Sequence, residues 1–238
     1  VAQTLVLESS GFDLSTIPGS DPTVPVTVTT PAGQTGGVFV VNSTTGTVNK
    51  LGIDGGSISE SVSINANANE LQTNLSNGDD RLQIGGAVSA SSIELGEGRD
   101  TAVVSGAFTN SGIKSGGERD VLRFEGAVTG SYVDTGTGDD LVGFLGDVNG
   151  SRVVLGAGND QVRFYGDATN TDLNLGGGRD TVRFYDPNAN TSGLVIEGAS
   201  ADDLLIIGSS HYKYVGNYTW ENLADPNDDL RFGPNTPG

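Results

Sequence analysis

The chain alternates apolar and polar residues in short stretches, and the alternation returns in register every twenty residues. The inward candidates of the first stretch are Leu82/Ile84, Ala102/Val104, Leu122/Phe124, Val142/Phe144, Val162/Phe164 and Val182/Phe184. A period of two predicts a strand with one face in the core. Later in each repeat a return strand places Ile93/Leu95, Ile113, Val133, Val153/Leu155 and Leu173/Leu175 inward. Between the strands Val88, Phe108, Val128, Val148 and Ala168 point in at the turn. Helical periodicity is missing from this array. A fixed period of this length predicts a solenoid with one coil per repeat and like residues stacked in rows. The expected fold is all-β: a right-handed parallel β-roll or β-helix of about seven or eight coils, two sheets facing each other over a thin core. At a strand spacing of roughly 4.8 Å the body would be a rod of roughly 35 Å.

The pattern also divides the chain. Residues 1–39 are aperiodic and proline-broken, with short strands expected at Ala2–Leu7 and Val24–Thr29, and read as an N-terminal cap. Irregular first coils occupy 40–77, and Glu60 there stands at the phase later taken by aspartate. The array runs over 78–200, most regular up to Tyr185. Residues 201–238 read as a C-terminal cap, with Tyr212, Tyr214, Tyr218 and Trp220 as a plug, because an open last coil would expose strand edges.

Composition narrows the function. With 30 acidic and 12 basic residues the net charge is −18, which argues against nucleic-acid binding. The absence of cysteine excludes disulfides and thiol chemistry. No stretch approaches transmembrane length, so no membrane insertion is expected. The segment Val1–Ser10 lacks the features of a Sec signal. The single histidine, His211, rules out a histidine-based metal site, and no nucleophile elbow, P-loop or Rossmann fingerprint is present.

The chemistry resides in one turn. Asp80, Asp100, Asp120, Asp140, Asp160 and Asp180 recur at the period, each closing a glycine-rich turn: Gly96-Glu-Gly98-Arg-Asp100, Gly136-Thr-Gly138-Asp-Asp140, Gly156-Ala-Gly158-Asn-Asp160 and Gly176-Gly-Gly178-Arg-Asp180. The turn from Gly116 loses its second glycine, and the turn ending at Asp80 loses its first. Two carboxylates roughly 5 Å apart repel by about 3 kcal/mol at an effective dielectric of 20, so a stacked row calls for neutralisation. Calcium, which takes hard oxygens from carboxylates and carbonyls, suits such turns. A ladder with Arg99, Arg119 and Arg179 is the competing arrangement.

The turn and its following strand resemble the RTX calcium-binding repeat, G-G-x-G-x-D-x-U-x, over about residues 78–185. The resemblance implies a parallel β-roll with several calcium ions between successive coils, and secretion by a type I system followed by folding in extracellular calcium. It also implies metal ligands at Asp80, Gly98, Asp100, Gly116, Asp120, Gly136, Gly138, Asp140, Gly156, Gly158, Asp160, Gly176, Gly178 and Asp180. The family coil carries a calcium turn on both edges. Here the opposite turn reads Gly126-Ala-Val-Thr-Gly-Ser131, without the aspartate, so ions are expected along one edge only.

The resulting expectation is a non-enzymatic, calcium-binding structural protein of a bacterial surface, matrix, S-layer or adhesin, outside the cell. The rival readings are a polysaccharide-active enzyme or its carbohydrate-binding module, and a self-assembling filament subunit. Self-association or a surface glycan are the possible partners; Arg163, Arg183, Tyr165 and Tyr185 form an outward stripe beside Arg123 that could dock one, and ordinary cross-strand ladder packing explains the stripe equally well. Asp147 and Asp167 share a phase on the opposite turn and, with Asp186, read as solvated turn acids, the alternative being an extra cation held by the three.

Overall fold

A computed structural model describes residues 3–6, 26–29, 37–225 and 227–234. The described residues contain no helix and form a parallel β-solenoid of about 8 coils with a period of about 20 residues. Each regular coil contributes three strand segments rather than two. In the coil from Asp120 they are Val121–Phe124, Val128–Thr129 and Tyr132–Thr137. The first two join a 17-stranded sheet and the third a 10-stranded sheet. Val88, Phe108, Val128, Val148 and Ala168, expected in a turn, thus belong to two-residue strands around a corner of the longer sheet.

The register explains why the period is strict. Val121–Phe124 pairs residue for residue with Thr101–Val104 before it and Leu141–Phe144 after it. A one-residue slip would turn every inward side chain outward. All the inward positions read from the sequence are at most 2% exposed. Phe124, Phe144, Phe164 and Phe184 form an internal stack with ring centroids 5.3, 5.2 and 4.7 Å apart. Like side chains at the coil spacing therefore meet at aromatic contact distance.

Both ends depart from the repeat. Gln3–Val6 and Val26–Thr29 lie parallel to one another and to Leu51–Asp54, extending the shorter sheet. The longer sheet begins at Gly37–Asn49, a strand that starts in the last three residues assigned to the cap and runs on into the first coils, and it buries Phe39 and Val41. The rest of that segment lies outside the described residues. At the other end Leu204–Ile207 is the last parallel strand. Ser210–Gly216, Thr219–Asn222 and Leu230–Arg231 then run antiparallel along its free edge. Of the four aromatic residues expected as a plug, Trp220 is fully buried and Tyr212 nearly so, joined by Phe232, while Tyr214 and Tyr218 are half-buried.

Candidate metal site along the aspartate edge

The six aspartates turn inward. Asp80, Asp100, Asp120, Asp140, Asp160 and Asp180 are all buried, 0–2% exposed, at the corner where the shorter sheet returns to the longer one. One oxygen of each has a structural task. The backbone N–H of Asp80 donates to Oδ1 of Asp100 at 2.7 Å, and the same bond repeats from Asp100 to Asp120, Asp120 to Asp140, Asp140 to Asp160 and Asp160 to Asp180 at 2.8–2.9 Å. The second oxygen, Oδ2, is buried in all six without a hydrogen-bond partner.

The row is longer than the sequence array. Glu60 is its first member: its N–H donates to Asp80 Oδ1, its Oε1 accepts from Gly56 N, and its Oε2 is buried without a partner. Asp203 is its last member, accepting from Asp180 N at 2.7 Å. Its other oxygen accepts from Ser200 N at 2.6 Å, so this carboxylate alone has both oxygens occupied. Asp203 lies 23 residues beyond Asp180, because the coil bulges over 186–192, and strict periodicity passes over it.

Burial dominates the electrostatics. It pushes Asp80, Asp100, Asp120 and Asp160 up to about 7 and Asp180 to about 6, against an ordinary 3.8, and raises Asp140 and Glu60 too. The N–H bond to each aspartate's Oδ1 opposes this, helped by the Ser115 hydroxyl at Asp120 and the Thr135 hydroxyl at Asp140, but is outweighed. The arginine ladder is not formed. Among the described residues the ion pairs are Arg99–Glu118 and Arg123–Glu125, both exposed and neither on the row.

The glycine turns bring successive coils close. Gly96, Gly98, Gly116, Gly136, Gly138, Gly156, Gly158, Gly176 and Gly178 all have positive φ. Where glycine is missing the backbone keeps the same hand, with Ser76 at φ 74 and Glu118 at φ 69. Some carbonyls of these turns are spent between coils. Gly136 O accepts from Ala157 N and Gly156 O from Gly177 N, while Ala157 O accepts from Gly138 N and Gly177 O from Gly158 N. These carbonyls run along the solenoid axis as a second ladder. Among the described residues no three acidic or histidine side chains converge on one point. A hard cation would therefore take its charged ligands from the orphaned Oδ2 atoms, and complete its shell with backbone oxygens or water.

The opposite corner provides an internal control that sequence reasoning missed. Ser91, Ser111, Ser131 and Ser151 are buried there in a row. Each Oγ accepts the N–H of the preceding coil: Leu71 to Ser91 at 2.9 Å, Ser91 to Ser111 at 3.0 Å, Ser111 to Ser131 at 3.3 Å and Ser131 to Ser151 at 3.1 Å. Each hydroxyl then donates to the carbonyl two residues back, as Ser111 does to Thr109 O. The serine corner does the same stapling as the aspartate corner with no charge and no orphan. The signal was legible, since these serines recur every twenty residues. Ser111→Ala should strand the Ser91 N–H and cost about 1–3 kcal/mol. Urea unfolding should give the same loss with and without calcium.

The exposed turn acids staple as well. Asp147 Oδ1 accepts from Asp167 N, Asp167 Oδ1 from Asn190 N, and Asp139 Oδ1 from Asn159 N. Comparison with protein-family models, curated proteins and solved structures found no match, so the likeness to the RTX repeat rests on the turn and its spacing alone.

Proposed function

We propose that this chain is a calcium-dependent structural protein of the extracellular surface or matrix, whose coils are tied together by cations along the aspartate edge. The observation that carries the proposal is the row of buried Oδ2 atoms without hydrogen-bond partners at Asp80, Asp100, Asp120, Asp140, Asp160 and Asp180. A coil corner needs only one acceptor per repeat, as the serine corner demonstrates. The second carboxylate oxygen is surplus to folding. Leaving it buried and charged costs free energy unless a proton or a cation meets it. Asp203 shows the alternative, a second oxygen closed by a backbone N–H, and no other member of the row uses it.

A bound divalent ion would supply charge neutralisation and a cross-link between neighbouring coils. The chain's own contribution is a prearranged file of carboxylates, one per coil, held by their Oδ1 bonds. In a calcium-poor compartment the file would repel itself and disfavour the coiled state. In a calcium-rich exterior, binding would become folding free energy. An acidic chain with this property suits export before folding and rigidity afterwards.

The test is direct. Isothermal titration with elemental analysis should find several calcium ions per chain, with magnesium much weaker because it dehydrates reluctantly and demands a tighter octahedral shell. Calcium-free protein after dialysis against millimolar calcium would end the proposal.

A further inference from the structure

The outward face of the longer sheet carries a row whose successive members are Arg123, Gly143, Arg163 and Arg183, paired directly across adjacent strands. Glycine leaves one rung of this row empty. A groove of about 570 Å³ opens there, walled by Arg123 and Arg163 along the solenoid axis and by Leu141, Leu145 and Tyr165 at the sides. Beside it the rings of Tyr165 and Tyr185 stack at 4.2 Å and 8°, both exposed by more than a third.

Arg123 on this face is paired with Glu125 at 3.1 Å, and the charge left unbalanced lies with Arg163 and Arg183. Arg163 spends its Nε on Gln161 at 2.7 Å, and Arg183 lies over the Tyr185 ring at 4.6 Å with its own Nε buried and without a hydrogen-bond partner. Neither belongs to an ion pair of the described residues. Arg163 and Arg183 stand directly opposite on neighbouring strands, where like charges disfavour each other, and an anion held by Arg163 on its Gly143 side offsets that repulsion.

We propose that the empty rung at Gly143 is a binding site for a ring-bearing carboxylate. A ring standing in the row would lie one strand spacing, roughly 4.8 Å, from the rung on either side. That is within the range of about 6 Å over which a guanidinium attracts an aromatic face. The protein's own side chains set the precedent in the Tyr165–Tyr185 stack. The carboxylate would take paired hydrogen bonds from Arg163, the kind of contact a guanidinium makes best. Leu141 and Leu145 would flank the ring edges. A volume of about 570 Å³ is of the size that takes a small molecule. Two sources share the carboxylate-to-guanidinium contact: a uronic-acid residue of an acidic glycan, whose saturated ring offers a guanidinium no π-face, and an aromatic acid, whose ring does.

The experiment is an amide and arginine-Nε NMR titration of the full chain in calcium-containing buffer with glucuronate, benzoate, glucose and benzyl alcohol. At least one acid should shift Gly143 and Arg163, with its neutral counterpart about tenfold weaker. A larger response to glucuronate identifies the glycan source, and to benzoate the aromatic one. An ideal Cβ at Gly143 meets nothing within 4 Å, and its φ lies outside the left-handed region, so Gly143→Val should fold normally and fill the rung. It should abolish the shifts, and Arg163→Ala should weaken them about tenfold, both leaving calcium titration unchanged. The site is overturned if neither acid binds, if neutral rings bind equally, or if Gly143→Val binds like the parent. The last result would place the acid at calcium on the far edge. Because calcium binding is read separately, failure here leaves the aspartate edge untouched, and the reverse holds too.

Discussion

In the presence of EGTA the protein should melt at progressively lower temperature as the pH rises from about 5 to about 8, by about 10–20 °C in all. The direction follows from the row of buried acids. Burial raises Asp80, Asp100, Asp120 and Asp160 from 3.8 to about 7, and Asp180 to about 6. Between the unfolded and folded values the native state holds protons that the unfolded chain has released. Stability therefore falls with rising pH across that window, the opposite of a carboxylate stabilised by a salt bridge. A tenfold change in proton affinity corresponds to about 1.4 kcal/mol. If each of the five groups delivers only about 1 kcal/mol, the sum is about 5 kcal/mol, and a chain of this size loses about 2–4 °C per kcal/mol. Saturating calcium should flatten the dependence, because a cation replaces the proton at Oδ2. Asp120→Asn keeps the Oδ1 acceptor for Asp100 N and removes one charge. It should raise the EGTA melting point at pH 8 and reduce the gain on adding calcium. A melting temperature that is flat or rises with pH in EGTA would show that the buried acids bear no net cost, and the argument for cations would fall with it.

How much of this was legible beforehand depends on what each residue type encodes. The core was legible because period-two alternation at a twenty-residue phase admits one arrangement: Leu122 and Phe124 must sit above Ala102 and Val104. The aspartate row was legible for the same reason. The orientation of its oxygens was not. A carboxylate beside a glycine turn can face solvent, an arginine or the interior, and only the backbone path decides, here by presenting the Asp100 N–H to Asp120. The serine corner was visible as a repeat but silent as chemistry, because serine in a turn has many local uses. Ser91 to Ser151 gain their meaning only when the N–H of the preceding coil is seen to have no other acceptor. Asp202 and Asp203, with Gly198, hint in the sequence at one more irregular coil, but an insertion over 186–192 breaks the count and hides which of them continues the row. Glu118 and Ser76 show the converse. Local preference argues against positive φ at both, yet neighbouring coils impose it.

Replacing Gly158 with alanine should cost about 4 kcal/mol and lower the melting temperature by about 10 °C, with or without calcium. Two independent constraints meet at this residue. Its φ of 144 lies where side-chain-bearing residues are strained. An ideal Cβ there would also overlap the Gly138 carbonyl oxygen of the preceding coil. That oxygen is backbone, and its coil is fixed by the bond from Gly138 N to Ala157 O at 2.8 Å. Relief therefore requires the two coils to part, which stretches the Asp140-to-Asp160 hydrogen bond at 2.8 Å and the Phe144–Phe164 stack at 5.2 Å together. Gly143→Ala is the matched control, since its Cβ meets open space on the outer face and should change stability by less than about 0.5 kcal/mol. Equal stability of the two variants would mean that the turns are not at backbone contact. The glycines of the aspartate edge would then serve ligand geometry alone. The predicted inequality instead assigns them a role in stacking, so a cation at this edge would enter a corner whose backbone is already closed.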